Sequence, residues 1–358
     1  MDVPRTNLGD DPHDPAGIAT ILVSAPSVPS AIYGAMREVL ARGYRIRTQY
    51  DRKDAQGNYI DPPSLDVTSA LEILNPYAQP RFPKSSCVEI GKYIAETCWG
   101  VKDHRILDQD ELKTQLAAGT FDETKHTYWP YTYHQRLFAY PASHGRTVNQ
   151  VQQMLARLAE DPLTRRATAI TFVPEIDHYI RGDLPCLQRI ALRCTEDRQG
   201  RLCLHVHTHW RSRDLFNAAA DNIIAMTFWQ REWADELSRM MGRPVLVGRY
   251  KDFADSLHIY GQVLQNVDVE KLVGKWSTLP DKGLGYTSED ARDLMVIPDL
   301  EKLLAEDPQW QFPPEAKDKI VREIERMKRG EYLPWDSGQE GRGLATEAAS
   351  HAKACPGG

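Results

Sequence analysis

The chain has 358 residues, 41% of them hydrophobic and 26% charged, which is enough to bury one large or two medium globular cores. Its formal net charge of -6 argues against a general nucleic-acid-binding protein, because such proteins usually carry a net basic domain. The six cysteines form no Cys-x-x-Cys pair, which is typical of reduced thiols in the cytosol rather than of a disulfide framework or a zinc site. No signal segment opens the chain and no apolar run reaches about 18 residues, so we expect a cytoplasmic protein.

The hydrophobic pattern predicts one α/β domain between two unstructured ends. Residues 1–18 are acidic and rich in proline and glycine, which predicts a disordered leader. Residues 19–335 are expected to form a single domain, and the Gly, Ser and Ala content of 336–358 predicts a flexible tail. Strands are predicted at 44–50, 64–76, 164–174, 186–194, 202–212 and 245–260. Helices are predicted at 31–40, 85–100, 148–160, 214–237, 288–306 and 314–329.

Two features of the N-terminal half are candidates for a site. Glu96 lies at the edge of the buried face of helix 85–100, where a carboxylate is either capped or available for proton transfer. The aromatic segment 128–136, which includes Tyr133, is expected to line a pocket, although packed aromatic loops without a ligand are common.

Two arginine pairs are candidate phosphate contacts. Arg45 and Arg47 lie on one side of a predicted strand, either as solvated edge residues or, for Arg47, as a contact to phosphate. Arg165 and Arg166 open another strand and would point to opposite faces of it. Both can therefore reach one phosphate only if the start of that strand is bulged or looped.

The densest group of reactive side chains begins at residue 186. Cys186 directly follows a proline, and Arg211, Ser212 and Asp214 come about 25 residues later. A thiolate is a strong nucleophile, and a nearby arginine both favours the thiolate and binds anions. This combination predicts attack by sulfur on a phosphorylated substrate.

Two further groups fit the recognition of a nucleotide. Asn222 lies in the predicted helix 214–237, near its entrance, and its amide can donate and accept at once, which suits the edge of a pyrimidine. His258 and Tyr260 alternate onto one face of the last predicted strand, with donors suited to a sugar hydroxyl.

The run of His205, His207 and His209 is not expected to bind a metal. A flat strand holds such imidazoles roughly 7 Å apart, too far to share a zinc ion whose bonds are about 2 Å long. A polar, subunit-facing sheet surface is the expected role. A cysteine hydrolase, in which Cys186 is paired with one of these histidines or with His178, stays open at this stage.

Taken in chain order, these residues resemble the thymidylate synthase superfamily, which includes thymidylate synthases and pyrimidine-nucleotide hydroxymethylases. The resemblance covers residues 85–262 and rests on Glu96, Tyr133, Arg165-Arg166, Pro185-Cys186, Arg211-Ser212-x-Asp214, Asn222 and His258-x-Tyr260. It implies the superfamily's α/β fold, a mixed β-sheet packed by helices, and a homodimer that meets through its sheet faces. It also implies 5,10-methylenetetrahydrofolate as co-substrate and no metal.

On the nucleotide side, the resemblance implies four contacts. Cys186 would add to C6 of the pyrimidine, Arg211 and Ser212 would hold the phosphate, and Asn222 would read the base. The further candidate phosphate contacts are Arg47 and, donated across the dimer, Arg165 and Arg166.

The resemblance also assigns the proton-transfer, folate and sugar contacts. Glu96 and Tyr133 would order the water that moves protons to and from the base and the folate. The folate contacts would be Asp214, which binds the pterin, together with Glu96 and Trp99, and the contacts to the sugar 3'-hydroxyl would be His258 and Tyr260.

The sequence departs from the superfamily pattern around the base and the folate. Leu187 stands where a histidine typically follows the nucleophile, and Trp210 stands where a glutamine precedes the Arg-Ser pair. Residues 217–221, Asn-Ala-Ala-Ala-Asp, replace Leu-Gly-x-Pro-Phe, and no recognisable superfamily C-terminus closes the chain. These changes concern the outcome of the reaction more than the nucleotide site.

We therefore expect one-carbon transfer to C5 of a pyrimidine nucleoside 5'-monophosphate, with hydroxymethylation of dUMP favoured. Asn222 favours uracil, whereas Asp221 would favour cytosine after a one-residue shift, and Ser212 leaves little room for a 2'-hydroxyl. The alternatives are a dCMP or CMP hydroxymethylase and a divergent thymidylate synthase that methylates dUMP. An inactive nucleotide- or RNA-binding homologue is the alternative from another class; neither a membrane nor a nucleic acid is an expected partner.

Overall fold

The computed structural model describes residues 17–84, 89–122, 129–142, 145–182 and 184–331, and at Asp281 the backbone alone. The predicted tail and all but the last two residues of the predicted leader lie outside the described residues. The predicted start of the second helix, at 85–88, lies outside them as well.

The strands in the described ranges are β1 Thr20–Ala25, β2 Tyr44–Ile46, β3 Ser64–Ile73, β4 Phe82–Pro83, β5 Tyr140–Pro141, β6 Thr147–Val148, β7 Thr168–Ile170, β8 Leu187–Glu196, β9 Leu202–Trp210, β10 Arg213–Asp214, β11 Val245–Ile259 and β12 Gly285–Tyr286. The α-helices are α1 Val28–Arg42, α2 Ile90–Trp99, α3 Gln109–Ala117, α4 Tyr133–Phe138, α5 Gln150–Glu160, α6 Pro174–Asp177, α7 Ala219–Met241, α8 Gly261–Asn266, α9 Val269–Trp276, α10 Ser288–Ala291, α11 Ile297–Ala305, α12 Asp307–Trp310 and α13 Pro314–Lys328. A π-helical turn, Arg292–Val296, joins α10 to α11.

Eight of these strands form one mixed sheet. Its order is β1-β3-β11-β9-β8-β7, with β2 beside β3 and β10 beside β11. Strand β11 runs parallel to β9 and β10, and β1 runs parallel to β3, whereas β11 with β3, β8 with β9, and β7 with β8 are antiparallel. The predicted class, an α/β protein with a mixed sheet packed by helices, is confirmed.

One face of the sheet is covered by α1, α5 and α7. Alternation along β9 sends Leu204, Val206 and Trp210 to this face, and each is at most 1% exposed. Helix α7 is buried along most of its length, as its nearly continuous apolar sequence predicts for a central helix. None of the helices in the described ranges has both the length and the apolar character needed to cross a membrane.

The opposite face of the sheet carries apolar side chains that the described helices leave exposed. Leu22 of β1 is 78% exposed, Ile170 of β7 is 45% exposed and Phe253 of β11 is 37% exposed. Leu22 and Phe253 lie in one cross-strand row with Ala70 between them, and the row continues through His209 and Arg189 to Ile170. Exposed apolar side chains beside polar ones are typical of a surface that meets another protein.

Local signals account for the ends of the helices around the site. The side chain of Thr132 caps α4, and Gly100, with a φ of 64°, ends α2. A Cβ at position 100 would collide with the ring of His134, so this turn requires glycine for space as well as for its backbone conformation. The chain reverses there and brings Lys102 back toward α2.

Several predicted elements differ from the observed ones. The helix predicted at 214–237 begins at Ala219, because Arg213–Asp214 pairs with β11 as β10, and the helix predicted at 288–306 is divided by the π-helical turn. The strand predicted at 44–50 ends at Ile46, because a turn begins where Thr48 bonds to Asp51. The strand predicted at 164–174 is confined to β7, and part of the aromatic segment 128–136 belongs to α4 instead of a loop.

Candidate active site

A cavity of about 960 Å³ opens at the edge of the sheet where β9 and β11 end and β8 begins. Residues from the second half of α2, the start of α4 and the start of α7 complete its wall. Nine of the predicted site residues line it: Glu96, Tyr133, Cys186, Arg211, Ser212, Asp214, Asn222, His258 and Tyr260.

The backbone of Cys186, directly before β8, is held in place by two hydrogen bonds. Its N–H donates to the hydroxyl of Tyr133 at 3.1 Å, and its carbonyl accepts the N–H of Arg211 at 2.9 Å. The Arg211 guanidinium also donates to the carbonyls of Leu184 (2.7 Å) and Pro185 (3.1 Å). The Arg211 side chain therefore supports the turn before Cys186, and both residues line the same cavity.

Glu96 faces the cavity from α2 and is paired from behind. Lys102 Nζ donates to Glu96 Oε2 at 2.8 Å, and the lysine side chain is only 8% exposed. An ammonium buried to this degree depends on its carboxylate partner, because an unpaired buried charge is costly.

Asp214 lines the cavity, but both its carboxylate oxygens are engaged locally. Oδ1 accepts the N–H groups of Phe216 and Asn217 at 3.0 Å, and Oδ2 accepts the side-chain amide of Asn217 at 2.8 Å. These bonds form the turn between β10 and α7. Asn217 is one of the positions that depart from the superfamily pattern. It bonds directly to Asp214, the residue predicted to bind the pterin.

The amide of Asn222 also has a protein partner. Its Nδ2 donates to the hydroxyl of Tyr93, which lies one turn before Glu96 on α2 and lines the same cavity. Burial raises the pKa of Tyr93 far above its usual range, so its hydroxyl stays protonated. Asp221 does not line the cavity, so of these two adjacent side chains it is the amide of Asn222 that lines it.

His258 presents a polar edge to the cavity. Burial lowers its pKa, while Asp214 and Asp66 act in the opposite direction. Ser256 lies 3.2 Å from Nδ1, whereas Nε2 is buried with no hydrogen-bond partner in the described part of the chain. The ring of Tyr260 packs edge-on against the imidazole at 4.4 Å. A buried nitrogen of this kind suits a hydroxyl ligand.

The remaining predicted site residues lie outside the cavity. The guanidinium of Arg47 donates to the carbonyl of Asp61 at 2.7 Å and covers the ring of Tyr59. Trp99 packs its ring edge-on against Phe228. The other two, Arg165 and Arg166, are exposed just before β7.

The histidine run lies on the open face of the sheet, away from Cys186. Both ring nitrogens of His205 are hydrogen-bonded, to the N–H of Arg249 and to the hydroxyl of Thr195. His209 pairs with Asp255 at 2.9 Å. Across the described ranges, no three His, Cys, Asp or Glu side chains are grouped to hold a metal ion.

Several cavity residues were missed by sequence reasoning. Tyr93 could have been found from its helical spacing to Glu96. Lys102, which supports Glu96 from outside the cavity, could not, because the turn at Gly100 breaks that spacing. Trp129 and Tyr131 belong to the aromatic segment that was predicted to line a pocket, whereas Tyr50, Arg181 and Arg213 were missed.

The mixed sheet packed by helices makes this an α/β protein. At one edge of the sheet, a cavity lined by a cysteine, carboxylates and an arginine is its candidate ligand site. No protein-family model matches the chain. A relative from Methanosarcina acetivorans named "Putative thymidylate synthase" is 32% identical over 206 residues, which cover 58% of this chain and 76% of the relative. A relative of the same name from Methanocaldococcus jannaschii is 26% identical over 244 residues, covering 67% and 90%.

Among solved structures, thermostable thymidylate synthase A from Bacillus subtilis aligns with a TM-score of 0.47 and 17% identity, covering 69% of this chain and 84% of that one. The sequence similarity to these relatives shows that the chain belongs to the thymidylate synthase superfamily, a C5 one-carbon transfer family. The predicted superfamily is thereby confirmed.

Proposed function

We propose that this chain transfers a one-carbon unit from 5,10-methylenetetrahydrofolate to C5 of a pyrimidine nucleoside 5'-monophosphate, with Cys186 as nucleophile. The observation that carries the proposal is the convergence of nine predicted side chains on one cavity, although they are spread between Glu96 and Tyr260. Neither local sequence nor a shared element brings them together; the sheet and three helices do.

The nucleotide fits this arrangement with its phosphate at Arg211 and Ser212 and its sugar at His258 and Tyr260. The thiolate of Cys186 adds to C6, and the electrons of the C5–C6 double bond move toward C5, which then forms the new carbon–carbon bond. The bonds that join the one-carbon unit to folate nitrogen break in turn, the second as the C5 proton is lost, which leaves an exocyclic methylene on C5. Water or hydride then adds to that methylene, and cleavage of the C6–S bond regenerates the thiolate. Nearby Arg211 favours the thiolate over the thiol by its charge.

Glu96 and Tyr133 are the proposed proton-transfer groups. Glu96 reaches the cavity with one carboxylate oxygen tied to Lys102, and Tyr133 holds the backbone of the nucleophile through its hydroxyl. Together they can order a water close to the sulfur, which is the position from which the C5 proton has to be removed.

The cavity wall beyond Cys186 fits a flat pterin. Trp129, Tyr131 and Tyr133 line it with aromatic rings, which are suited to stacking against a heterocycle. When bound there, the folate supplies the one-carbon unit. Asp214 would meet the pterin at the turn that Asn217 now braces.

A hydroxymethyl product is favoured over a methyl product. Both oxygens of Asp214 accept bonds from Asn217, which differs from the superfamily pattern, and Oδ1 also accepts the N–H of Phe216, so the pterin contact is altered. Trp210 replaces a glutamine and is buried, with Tyr133 edge-on to it and Arg213 stacked on it at 4.0 Å. Both changes alter how the folate sits relative to C5 and favour water as the final nucleophile.

The proposed nucleotide is dUMP. Asn222 lines the cavity and can offer both a donor and an acceptor to O4 and N3–H of uracil, while Asp221 is not among the residues that line it. Ser212 stands next to Arg211 in the cavity and restricts the space for a 2'-hydroxyl.

The proposed assembly is a homodimer that meets through the open face of the sheet. That face exposes Leu22, Ile170 and Phe253, and burying such a surface is strongly favourable. Arg165 and Arg166 lie exposed before β7, at the edge of the sheet, from which they would reach a partner's phosphate.

Release of tritium from 5-tritiated dUMP in the presence of methylenetetrahydrofolate tests the proposal. We expect release by the unsubstituted protein and loss of it in Cys186→Ser, while Cys203→Ser, a buried cysteine at the far end of the same pair of strands, keeps the rate. Full turnover by Cys186→Ser would refute the covalent route. Nucleotide binding without release by the unsubstituted protein would favour an inactive binding homologue.

Product mass decides between the two outcomes of the transfer. A product heavier by a hydroxymethyl group, with no dihydrofolate formed, is expected. Dihydrofolate formed one-for-one with product would instead show methylation.

A further inference from the structure

The carboxylate of Glu96 is the point at which the catalytic cavity meets the C-terminal part of the chain. Glu96 is 32% exposed and lines the cavity, whereas Lys102, bonded to its Oε2 at 2.8 Å, does not line it. No second hydrogen bond to this carboxylate is present within the described ranges. Oε1 is therefore the oxygen that remains for the cavity.

Lys102 is fixed in this position by two aromatic rings. Its ammonium nitrogen lies 3.8 Å from the ring centroid of Trp310 and 5.3 Å from that of Trp129. The two rings meet edge-on at 6.0 Å, and the Trp310 indole donates to Glu306 Oε2 at 3.2 Å. Cation–π contacts of this kind hold an ammonium in place where water is largely excluded.

On the basis of the proposed function, we propose that Lys102 is a positioning residue for Glu96. By binding Oε2 from behind, it turns Oε1 toward the water that exchanges protons with the nucleotide, and Trp310 of α12 keeps it there. A purely structural ion pair would not need to involve a carboxylate that lines the cavity; Asp214, the other carboxylate named there, has both oxygens engaged by residues 216 and 217. General acid–base catalysis depends on hydrogen-bond reach, so a small displacement of this carboxylate lowers the rate without weakening nucleotide binding.

Lys102→Met keeps most of the side-chain length and removes the charge. We expect kcat for tritium release to fall by about 100-fold, with the dissociation constant of dUMP unchanged within about threefold. Lys102→Arg, which keeps the charge, is expected to recover most of the loss. Lys113→Met is the matched control, since Lys113 is 16% exposed and pairs with Glu175 at 3.2 Å, without contact to Glu96 or Trp310.

A double-mutant cycle separates positioning from mere stabilisation. If Lys102 acts through Glu96, Lys102→Met costs less than about threefold once Glu96→Gln has removed the proton-transfer group. An equal loss in both backgrounds would overturn the inference, as would an unchanged kcat in Lys102→Met or a loss in Lys113→Met of the same size. If the unsubstituted protein releases no tritium from any pyrimidine nucleotide, the proposed function fails, and this inference fails with it.

Discussion

The hydroxyl of Tyr133 accepts the backbone N–H of Cys186 at 3.1 Å and that of Leu187 at 3.3 Å. One phenolic oxygen thus fixes the backbone at the start of β8, and with it the direction of the Cys186 side chain. The position of the proposed nucleophile consequently depends on α4, which is far from it in sequence.

Tyr133→Phe is expected to weaken both folding and turnover. It leaves two N–H groups without their acceptor, which lowers the free energy of unfolding by about 1–3 kcal/mol, and it lowers kcat by about 10- to 100-fold because the thiol is less well placed. Urea unfolding and tritium release measure the two effects. Tyr77→Phe is the control, since that buried hydroxyl donates to the carbonyl of Thr227 and lies outside the cavity; an equal kcat in the two variants would contradict the prediction.

Tyr93→Phe is expected to reduce discrimination between bases. Without the Tyr93 hydroxyl, the amide of Asn222 loses the partner that fixes which of its atoms faces the cavity. We expect the ratio of kcat/KM for dUMP to that for dCMP to fall by about tenfold, the equivalent of one mismatched hydrogen bond. Steady-state kinetics with both nucleotides measure this ratio. A ratio within a factor of two of the original would show that Asn222 needs no such support.

Phe253→Asp is expected to convert the proposed dimer into monomers. The substitution places a carboxylate at the centre of the open sheet face, and burying it without a partner would cost several kcal/mol. Light scattering coupled to size-exclusion chromatography gives the mass directly. Leu294→Asp serves for comparison, because Leu294 is 65% exposed but lies in the π-helical turn, away from the sheet; dissociation in that variant, or a dimeric Phe253→Asp, would argue against the sheet-face interface.

The unfolding free energy is expected to fall as the pH drops from about 6.5 toward 4. Burial lowers the pKa of His205 and of His207 to about 4, and the charges of Lys251 and Arg193 act in the same direction on both. The unfolded chain, with a histidine pKa near 6.5, then binds more protons than the folded one between these values, so this stability is complete above pH 6.5 and is lost below it.

Urea midpoints at pH 7.5, 5.5 and 4.5 measure this dependence. His207→Gln is expected to make it shallower than in the unsubstituted protein, whereas substitution of the exposed His178 by glutamine is not. An identical slope in all three proteins would show that the sheet-face histidines do not contribute.

Regular elements were predictable from the sequence, and so were the site residues that they carry. The alternation of β11 places His258 and Tyr260 at its end, and the apolar length of α7 places Asn222 at its start. Local spacing is enough for such residues, because a strand or helix fixes where each side chain points.

Contacts between distant elements were not predictable in the same way. The pairing of Glu96 with Lys102 depends on a left-handed glycine turn, and the position of Lys102 depends on Trp310 from the far end of the chain. Arg47 is a second example: the strand predicted to carry it ends at Ile46, and the carbonyl of Asp61, which no local pattern indicates, holds its guanidinium outside the cavity.

The contact between Trp310 and Lys102 has a consequence for how the protein is made. Ribosomes deliver a chain from its N-terminus, so the sheet and Cys186 emerge before the helix that carries Trp310. Until that helix docks, the ammonium beneath Glu96 lacks the ring at 3.8 Å that keeps water away from it. A nascent chain can thus form its proposed nucleotide pocket before Lys102 is fixed beside Glu96. A fragment that ends before residue 310 lacks the Trp310 ring that fixes it.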